Sequence, residues 1–269
     1  YTWLLFKFSK SPAGKKILID GGGSATGSFD VGKYVLAPYL WRQRIKKLDL
    51  VILSHPHPDH LQGLIFLLEK FAIGEVWTNG YTDGSELQVN FLRLLREKGV
   101  LHRIVGKGSP PLTINGVTIR ILHPGKSLPV GLYKKNNFHD INDSSLVVRF
   151  TFGKINFLFP GDISGNIERR LIEEGAEIKS DVLFVAHHGG FSSSTEPFLK
   201  MVRPHLAVIS CGRDNVFHLP HLDVVRRLDA LKTRLYRTDV NGAVSISTDG
   251  RGLTVTTVRD KERGAESKE

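Results

Sequence analysis

Short apolar runs that end in glycine or in polar clusters alternate with amphipathic stretches along the whole chain. In the first half the pattern predicts strand 16–20, a helical stretch near 31–44, strand 48–53, helix 61–71, strand 75–78 and helix 87–98. Alternation of strands and helices on this scale is typical of sheets covered by helices.

The second half repeats this order of elements. Its predicted elements are strand 155–159, a helical stretch near 166–175, strand 182–186, helix 195–202, strand 206–210 and helix 222–231. In both halves the second strand ends in histidines. We therefore predict an α/β fold of two pseudo-repeated halves that pack sheet against sheet, an αββα sandwich.

The domain boundaries follow from composition. The 269 residues, 41% of them hydrophobic, suffice for one large domain, which we place at 1–258. Segments 106–116 and 125–143, rich in Gly, Pro, Asn and Lys, are predicted loops. The charged segment 259–269 lacks an apolar period and is a predicted disordered tail. The start at Tyr1, without Met, suggests a fragment of a longer protein, and no apolar run reaches the roughly 20 residues of a membrane span.

Charge and cysteine content narrow the chemistry. The formal net charge is +10, and a basic domain attracts polyanions, of which phosphate backbones are the commonest. The charge therefore predicts a polyanionic partner without identifying it. The single cysteine, Cys211, excludes an internal disulfide and a thiolate metal cluster.

The densest chemical pattern is Ser-His-Pro-His-Pro-Asp-His, directly after strand 48–53. His55 and His57 alternate along an extended backbone and can hold one ion, whereas Asp59 and His60 project differently and can reach a second. Imidazole and carboxylate together suit Zn²⁺, Mn²⁺ or iron. The spacing therefore predicts a dinuclear site.

The matching strand ends of the second half carry further candidates. Asp162 follows strand 155–159, where its carboxylate could bridge two ions, although an aspartate here could also be a helix cap. His187 and His188 end strand 182–186. Because neighbouring side chains of a strand point to opposite faces, we expect at most one of the two to be a ligand.

These motifs resemble the signature of the metallo-β-lactamase superfamily. More narrowly, the chain resembles the hydrolase domain of the ComEC family of DNA-internalisation channels. The likeness rests on residues 53–60 and 158–162 and on Asn-Asp-Ser-Ser-Leu at 142–146, Ala-His-His-Gly-Gly at 186–190, His-Leu-Pro-His at 218–221 and Tyr-Arg-Thr-Asp-Val-Asn-Gly at 236–242.

The resemblance implies two divalent metal ions, manganese or zinc. It implies His55, His57 and Asp162 as ligands of one ion, and Asp59, His60, Asp162 and His188 as ligands of the other. Catalytic roles would fall to Asp59 and Asp162, which orient the attacking water, to His187, a ligand neighbour or substrate-facing group, and to His218 at the scissile phosphate. His221 is more simply explained as a cap of helix 222–231.

The chain departs from the superfamily pattern at one point. Many members supply a further histidine to the first ion from a segment between the two motifs, and here that segment offers Asn142 and Asp143. His139 lies close by in sequence. Asn142, Asp143 and His139 all stay open as the replacement ligand.

The resemblance and the charge together predict a metal-dependent phosphodiesterase, a sequence-independent DNase that degrades the strand not imported during natural DNA uptake. The resemblance also implies a membrane channel joined in cis and a plasma-membrane location, on the extracytoplasmic side. The alternatives are a small-molecule phosphoesterase or lactonase of the same fold and a catalytically weak DNA-binding module. A nucleophilic mechanism through Ser54 or Cys211 lacks a supporting motif.

Overall fold

The computed structural model describes residues 4–7, 14–24, 29–125 and 138–259. The chain divides into two compact units. Unit 1 comprises residues 1–109 and 123–146, and unit 2 comprises residues 110–122 and 147–269. The two units correspond closely to the two predicted halves.

Unit 1 contains a five-stranded sheet. Its strands are β1 (Leu4–Lys7), β2 (Lys16–Ile19), β3 (Lys47–Ile52), β4 (Ala72–Thr78) and β5 (Leu101–Ile104), and its helices are α1 (Ala37–Arg42), α2 (Pro58–Lys70), α3 (Glu86–Glu97) and α4 (Phe138–Asp143). A single π-helical turn, Gly32–Leu36, leads into α1. The strands lie in sequence order, with β1 antiparallel to β2 and the other pairs parallel.

The core of unit 1 forms where α1, α2 and α3 pack on this sheet. Leu18 of β2 and Val51 of β3 are in one apolar cluster with Leu40, Leu64 and Phe91 from the three helices. The last three residues of β3, 50–52, are apolar and buried, and they anchor the strand in this core. Because β2 to β5 are parallel, their carboxyl ends share one edge of the sheet, and the histidine motif follows β3 at that edge.

Unit 2 is built on a seven-stranded sheet. Its elements are β6 (Leu112–Ile114), β7 (Val117–His123), β8 (Val147–Phe152), β9 (Ile155–Phe159), α5 (Gly165–Glu173), β10 (Val182–Phe184), α6 (Glu196–Val202), β11 (Leu206–Ile209), α7 (Leu222–Ala230), β12 (Arg234–Arg237), α8 (Thr238–Asn241) and the separate hairpin β13 (Val244–Thr248) and β14 (Leu253–Thr257). The sheet order is β12-β11-β10-β9-β8-β7-β6, and β9 to β12 are parallel.

A buried carboxylate organises the loop between β10 and α6 in unit 2. Glu168 of α5 is fully buried and accepts hydrogen bonds from the backbone amides of Ser194 and Thr195 and from the Thr195 hydroxyl. Arg227 of α7 donates to the carbonyl oxygens of Ser193 and Ser194. Burial raises the pKa of Glu168, and these donors oppose that shift.

The predicted elements are largely confirmed, with two corrections that matter for the site. Helix α2 begins at Pro58 rather than at residue 61, so Asp59 and His60 belong to its first turn instead of preceding it. Proline suits the first helical position because its missing N–H would have no intrahelical partner. Strand β10 ends at Phe184, before the two histidines, which occupy a 3₁₀ turn, Ala186–Gly189.

Some predicted segments have a different outcome. The predicted loop 106–116 contains strand β6, and α4 lies at the end of the predicted loop 125–143. Residues 126–137 and the predicted tail from residue 260 onward lie outside the described residues. The domain limits at 1–258 therefore stay a prediction. None of the helices in the described ranges is both long and apolar enough to cross a membrane.

Glycines allow the loop after β2 to lie directly on helix α2. The amide of Gly21 donates to the His60 carbonyl oxygen (2.6 Å), and the amide of Gly63 donates to the Gly22 carbonyl oxygen (2.9 Å). A Cβ atom at Gly63 would lie 2.0 Å from the Gly21 carbonyl oxygen. The close approach of two backbones thus requires glycine at this point of the helix.

We expect Gly63→Ala to destabilise the protein by roughly 1–3 kcal/mol, because the clash is with backbone and cannot be relieved by a side-chain rotation. The clash outweighs the higher helix propensity of alanine, which favours the substitution by about 1 kcal/mol. Urea unfolding measures the change. Gly252→Ala is the matched control, since a Cβ there meets no atom within 4 Å. Equal midpoints for the two variants would contradict the prediction.

Candidate metal centre

The first group of donors lies in unit 1, at the carboxyl end of β3. His55 and His57 follow the strand, and Asp59 and His60 occupy the first turn of α2. The three imidazoles are buried, whereas the Asp59 side chain keeps 34% of its surface exposed. Nε2 of His60 lies 3.7 Å from an Asp59 carboxylate oxygen. The loop thus gathers all four predicted donors of this motif.

Asp20, the residue directly after β2, contacts this loop. Its side chain is 2% exposed. One carboxylate oxygen accepts from the Ser54 amide (2.7 Å), and the other accepts from the Ser54 hydroxyl (2.8 Å) and lies 2.8 Å from Nδ1 of His60. A single buried carboxylate therefore ties together the ends of β2 and β3 and the start of α2.

These contacts determine which ring nitrogens can bind a metal. Because Asp20 is an acceptor, Nδ1 of His60 carries the proton and Nε2 carries the lone pair. The Ser54 hydroxyl donates to Asp20, so its oxygen can accept from Nδ1 of His55, which lies 3.1 Å away. His55 is thereby also held with Nε2 as the lone-pair nitrogen.

The donor geometry of His55 and His57 fits a common metal ion. Nε2 of His55 and Nδ1 of His57 lie 3.1 Å apart. Two imidazole nitrogens on one tetrahedral zinc ion, each at about 2.0–2.1 Å, would be about 3.4 Å apart. A small relaxation of the two rings would accommodate an ion, so the residues present fit the group that the motif predicts.

The second group of donors lies in unit 2. Asp162 follows β9 after Gly161 and is 4% exposed. His187 and His188 both adopt left-handed backbone conformations, with φ of 50° and 54°. Such conformations cost of order 1–3 kcal/mol each in non-glycine residues. The turn is held by hydrogen bonds from the His187 amide to the Gly161 carbonyl and from the His221 amide to the Gly189 carbonyl.

This turn distinguishes the two histidines. Nδ1 of His188 lies 2.9 Å from the Ser210 carbonyl oxygen, which can only accept, so Nε2 is the nitrogen with the lone pair. Nε2 of His188 lies 3.5 Å from an Asp162 carboxylate oxygen. We expected at most one of His187 and His188 to be a ligand because neighbouring side chains of a strand point to opposite faces. That reason is wrong, because neither residue lies in a strand. The donor set nevertheless favours His188.

The remaining predicted residues have weaker structural support. His187 is half-buried in the same turn, and His218 is exposed on the loop between β11 and α7, with a left-handed φ of 52°. Their catalytic roles stay predictions. Nδ1 of His221 accepts from the Asp223 amide at 3.3 Å, so the predicted capping role of His221 is confirmed.

The open question of a replacement ligand concerns helix α4. Asn142 is buried, and the nearby Leu146 amide donates to the Ser54 carbonyl oxygen (2.9 Å), which fixes this segment to the metal-binding loop. The Asp143 carbonyl oxygen lies 2.8 Å from Nε2 of His123. The side chain of His139 lies outside the described residues. Of the two described residues, burial favours Asn142 over Asp143.

The alternative nucleophiles are poorly placed. Ser54 is 2% exposed and its hydroxyl donates to Asp20. Burial, together with the thiol hydrogen bond to Asp239, raises the pKa of Cys211 to about 12. A thiol with this pKa stays protonated at neutral pH and is a poor nucleophile.

A family model described as the metallo-beta-lactamase superfamily matches residues 3–213. The chain belongs to this superfamily. The predicted fold class, α/β of the metallo-β-lactamase type, is thereby confirmed. A solved structure, CmlA, a diiron β-hydroxylase from Streptomyces venezuelae, agrees at the level of fold alone: the TM-score is 0.53 at 12% identity, over 91% of this chain and 51% of CmlA.

Two curated relatives support the narrower resemblance to the ComEC family. The chain is 32% identical to ComE operon protein 3 of Bacillus subtilis over 85% of its length, and 29% identical to Competence protein ComA of Neisseria gonorrhoeae over 84%. It spans only 30% and 29% of the lengths of these two proteins. This superfamily domain therefore corresponds to a part of each relative.

Two residues of this metallo-β-lactamase domain were missed by the sequence analysis. Asp20 orients His55 and His60, and the signal was available as Asp-Gly-Gly-Gly directly after a buried strand. Glu168 holds the loop that follows the double-histidine turn. It lies on an amphipathic helix among other acidic residues, and no local pattern marks it as buried.

We expect Asp20→Asn to lower metal affinity by about 10–100-fold, the usual effect of losing a group that orients a ligand. The amide nitrogen would place a donor where the Ser54 hydroxyl and Nδ1 of His60 need an acceptor. Isothermal titration of the metal-stripped protein with Mn²⁺ measures the loss. Asp49→Asn, at a surface carboxylate that pairs with Lys15, is the control. Unchanged affinity in a folded Asp20→Asn protein would disprove the orienting role.

We expect Cys211 to resist alkylation by iodoacetamide at pH 8 in the folded protein and to react rapidly in urea, because its pKa is raised to about 12. Mass spectrometry counts the adducts. Cys211→Ser should retain hydrolytic activity. Rapid alkylation of the native protein, or loss of activity in the folded Cys211→Ser variant, would reopen a thiol mechanism.

Proposed function

We propose that this domain is a metal-dependent phosphodiesterase that cleaves DNA without reading its sequence. His55, His57, Asp59, His60, Asp162 and His188 would bind two divalent metal ions, manganese or zinc. The observation that carries the proposal is the orientation of the donors: Asp20 and the Ser210 carbonyl hold the predicted ligand histidines with a defined nitrogen available for a metal.

The chemistry of the donor set supports a catalytic rather than a structural site. Asp59, His60, Asp162 and His188 offer two carboxylates and two imidazoles. Structural zinc sites are commonly rich in cysteine, and the only thiol of the chain, Cys211, hydrogen-bonds to Asp239. Ligands of this kind also suit Mn²⁺.

Each residue has a role in the proposed reaction. Two divalent ions, when bound, would act as Lewis acids and lower the pKa of an attacking water. The Asp59 and Asp162 carboxylates orient that water and accept its proton. His187, at the surface of its turn, contacts the substrate. His218, exposed on a loop, contacts the scissile phosphate or protonates the leaving oxygen.

DNA as the substrate is supported by charge and by kinship. The net charge of +10 favours a polyphosphate chain over a neutral lactam or thioester. One relative is called a competence protein, and competence entails DNA uptake. By analogy with that family, the domain degrades the strand that is not imported. The part of the relatives that this chain does not span would correspond to a membrane channel joined in cis. This domain would then lie at the plasma membrane, on the extracytoplasmic side.

We expect Asp59→Ala and Asp162→Ala each to reduce DNA hydrolysis to background while the fold persists, because each change removes a charged metal ligand but no core side chain. Asp229→Ala, at an exposed position of α7, is the matched control and should keep full activity. Circular dichroism and thermal melting verify folding. Substantial turnover by a folded Asp162→Ala protein would reject the proposed centre.

The proposed function is tested by incubating the metal-stripped domain with labelled single- and double-stranded DNA and restoring Mn²⁺, Zn²⁺ or Mg²⁺ separately. We expect cleavage with Mn²⁺ at least equal to that with Zn²⁺, and DNA binding that weakens steeply as salt is added. Binding that is absent at low salt, or insensitive to salt, with hydrolysis of small phosphodiesters instead, would favour the small-molecule esterase.

A further inference from the structure

A cavity of about 140 Å³ opens within unit 1, beside the metal-binding loop. It lies at the carboxyl ends of β3, β4 and β5, the edge where ligands of open parallel sheets commonly bind. Its apolar walls include Leu53, Pro56, Phe91, Leu92 and Ile104. The mechanism described above does not use this cavity.

The cavity adjoins the predicted metal ligands through the chain itself. Pro56, one of its lining residues, stands between His55 and His57. Leu53 precedes the loop and is buried. A group held in the cavity therefore lies beside the loop that would bind the metals, within reach of a nucleotide next to the scissile phosphate.

Four of the polar side chains that line the cavity, those of Thr78, Asn79, Gln88 and His102, are engaged with the protein. The Thr78 hydroxyl lies 2.9 Å from Nε2 of His102. The Asn79 side chain donates to the Ser144 carbonyl oxygen and accepts from the Tyr81 amide. The Gln88 side chain donates to the Tyr81 carbonyl oxygen. The walls therefore offer a surface for a flat apolar group rather than a pattern of donors and acceptors that would identify one base.

The size of the cavity selects its occupant. An apolar cavity of about 150 Å³ engineered in another protein binds benzene. A cavity of about 140 Å³ is therefore matched to one six-membered ring. Partial burial lowers the pKa of His102, which favours the neutral imidazole at the cavity wall. A bicyclic purine would have to leave part of its ring outside.

We propose that this cavity receives the ring of one unpaired base next to the scissile phosphate, with a pyrimidine fitting better than a purine. The inference rests on the proposed function and names the form of its substrate. A base can enter the cavity only if it leaves the stack, which is easiest in single-stranded DNA or at a frayed end. The domain then cleaves single strands faster than paired ones.

The test uses labelled single-stranded oligonucleotides of one length, in which a single abasic site, pyrimidine or purine is moved stepwise along the strand. Loss of one base–aromatic contact, measured by alanine substitution of the aromatic residue, lowers affinity by about 10-fold or more in single-strand binding proteins. We expect kcat/KM to fall by about 10-fold when the abasic site occupies one particular position relative to the cut. A purine at that position should lower kcat/KM by a few-fold relative to a pyrimidine.

Variants on β5 localise the effect. Ile104 lines the cavity and is 69% exposed, so Ile104→Trp should fill the cavity without unfolding the protein. Ile104→Trp should cleave the pyrimidine-containing strand as slowly as the wild type cleaves the abasic strand. It should also cleave the pyrimidine-containing and abasic strands at the same rate. Leu101→Trp is the control, because Leu101 is 50% exposed on the same strand and lies on its opposite face. Thr82→Trp is a second filling variant.

The same oligonucleotides are used in anisotropy titrations without metal, which measure base capture independently of hydrolysis. If wild type cleaves DNA but treats abasic and intact strands alike at every position, the cavity proposal is overturned and the nuclease stands. If folded protein with metal cleaves no strand, the proposed function fails. In that case the anisotropy titrations decide the cavity proposal. The proposal is still supported if an abasic site weakens binding to the wild type but not to Ile104→Trp. It is overturned if the abasic site does not weaken binding to the wild type.

Discussion

The buried carboxylate of Asp20 holds the candidate metal centre together. It accepts the amide and hydroxyl of Ser54, lies 2.8 Å from Nδ1 of His60 and, through the Ser54 hydroxyl, orients His55. Hydrogen bonds to a charged group contribute about 1.5–3 kcal/mol each, and a buried donor that loses its acceptor costs a comparable amount. These hydrogen bonds therefore hold the imidazoles of His55 and His60 in a defined orientation.

This carboxylate reaches the histidines because backbone lies directly on backbone around it. Gly21, Gly22 and Gly63 let the loop after β2 meet the first turns of α2 without any intervening side chain. Asp20 itself adopts a left-handed conformation, with φ of 57°. The glycines thus act on the chemistry indirectly, since they determine how close Asp20 comes to His60. In unit 2 the strained turn at His187 and His188 serves a comparable purpose with a backbone carbonyl as the acceptor.

The elements with a clear apolar period could be predicted from the sequence alone. Strand β9 has its predicted bounds because its apolar residues end directly before Pro160. The start of α2 could not be placed by periodicity, since its first turn consists of polar ligands rather than core residues. Of the site, the donor motif was readable, and Asp59 and His60 do stand together in unit 1, as do Asp162 and His188 in unit 2.

The parts of the site that escaped prediction depend on contacts between distant segments. Asp20 and His60 are 40 residues apart, so the Asp-Gly-Gly-Gly pattern could mark Asp20 but not the histidine that it contacts. The distinction between His187 and His188 required a left-handed turn, which strand periodicity does not describe. Asn142 could not be singled out from the sequence, because its segment is linked to the loop by the backbone amide of Leu146, a hydrogen bond that any sequence could make.

The central proposal is that one chain binds two divalent ions through the predicted histidine and aspartate ligands. Equilibrium dialysis of the metal-stripped domain against Mn²⁺, with bound metal counted by plasma mass spectrometry, measures this directly. The account predicts two ions per chain in the wild type, and fewer than two in His55→Ala and in His188→Ala. Two ions retained in both variants, or no Mn²⁺ bound to the folded wild type, would contradict it.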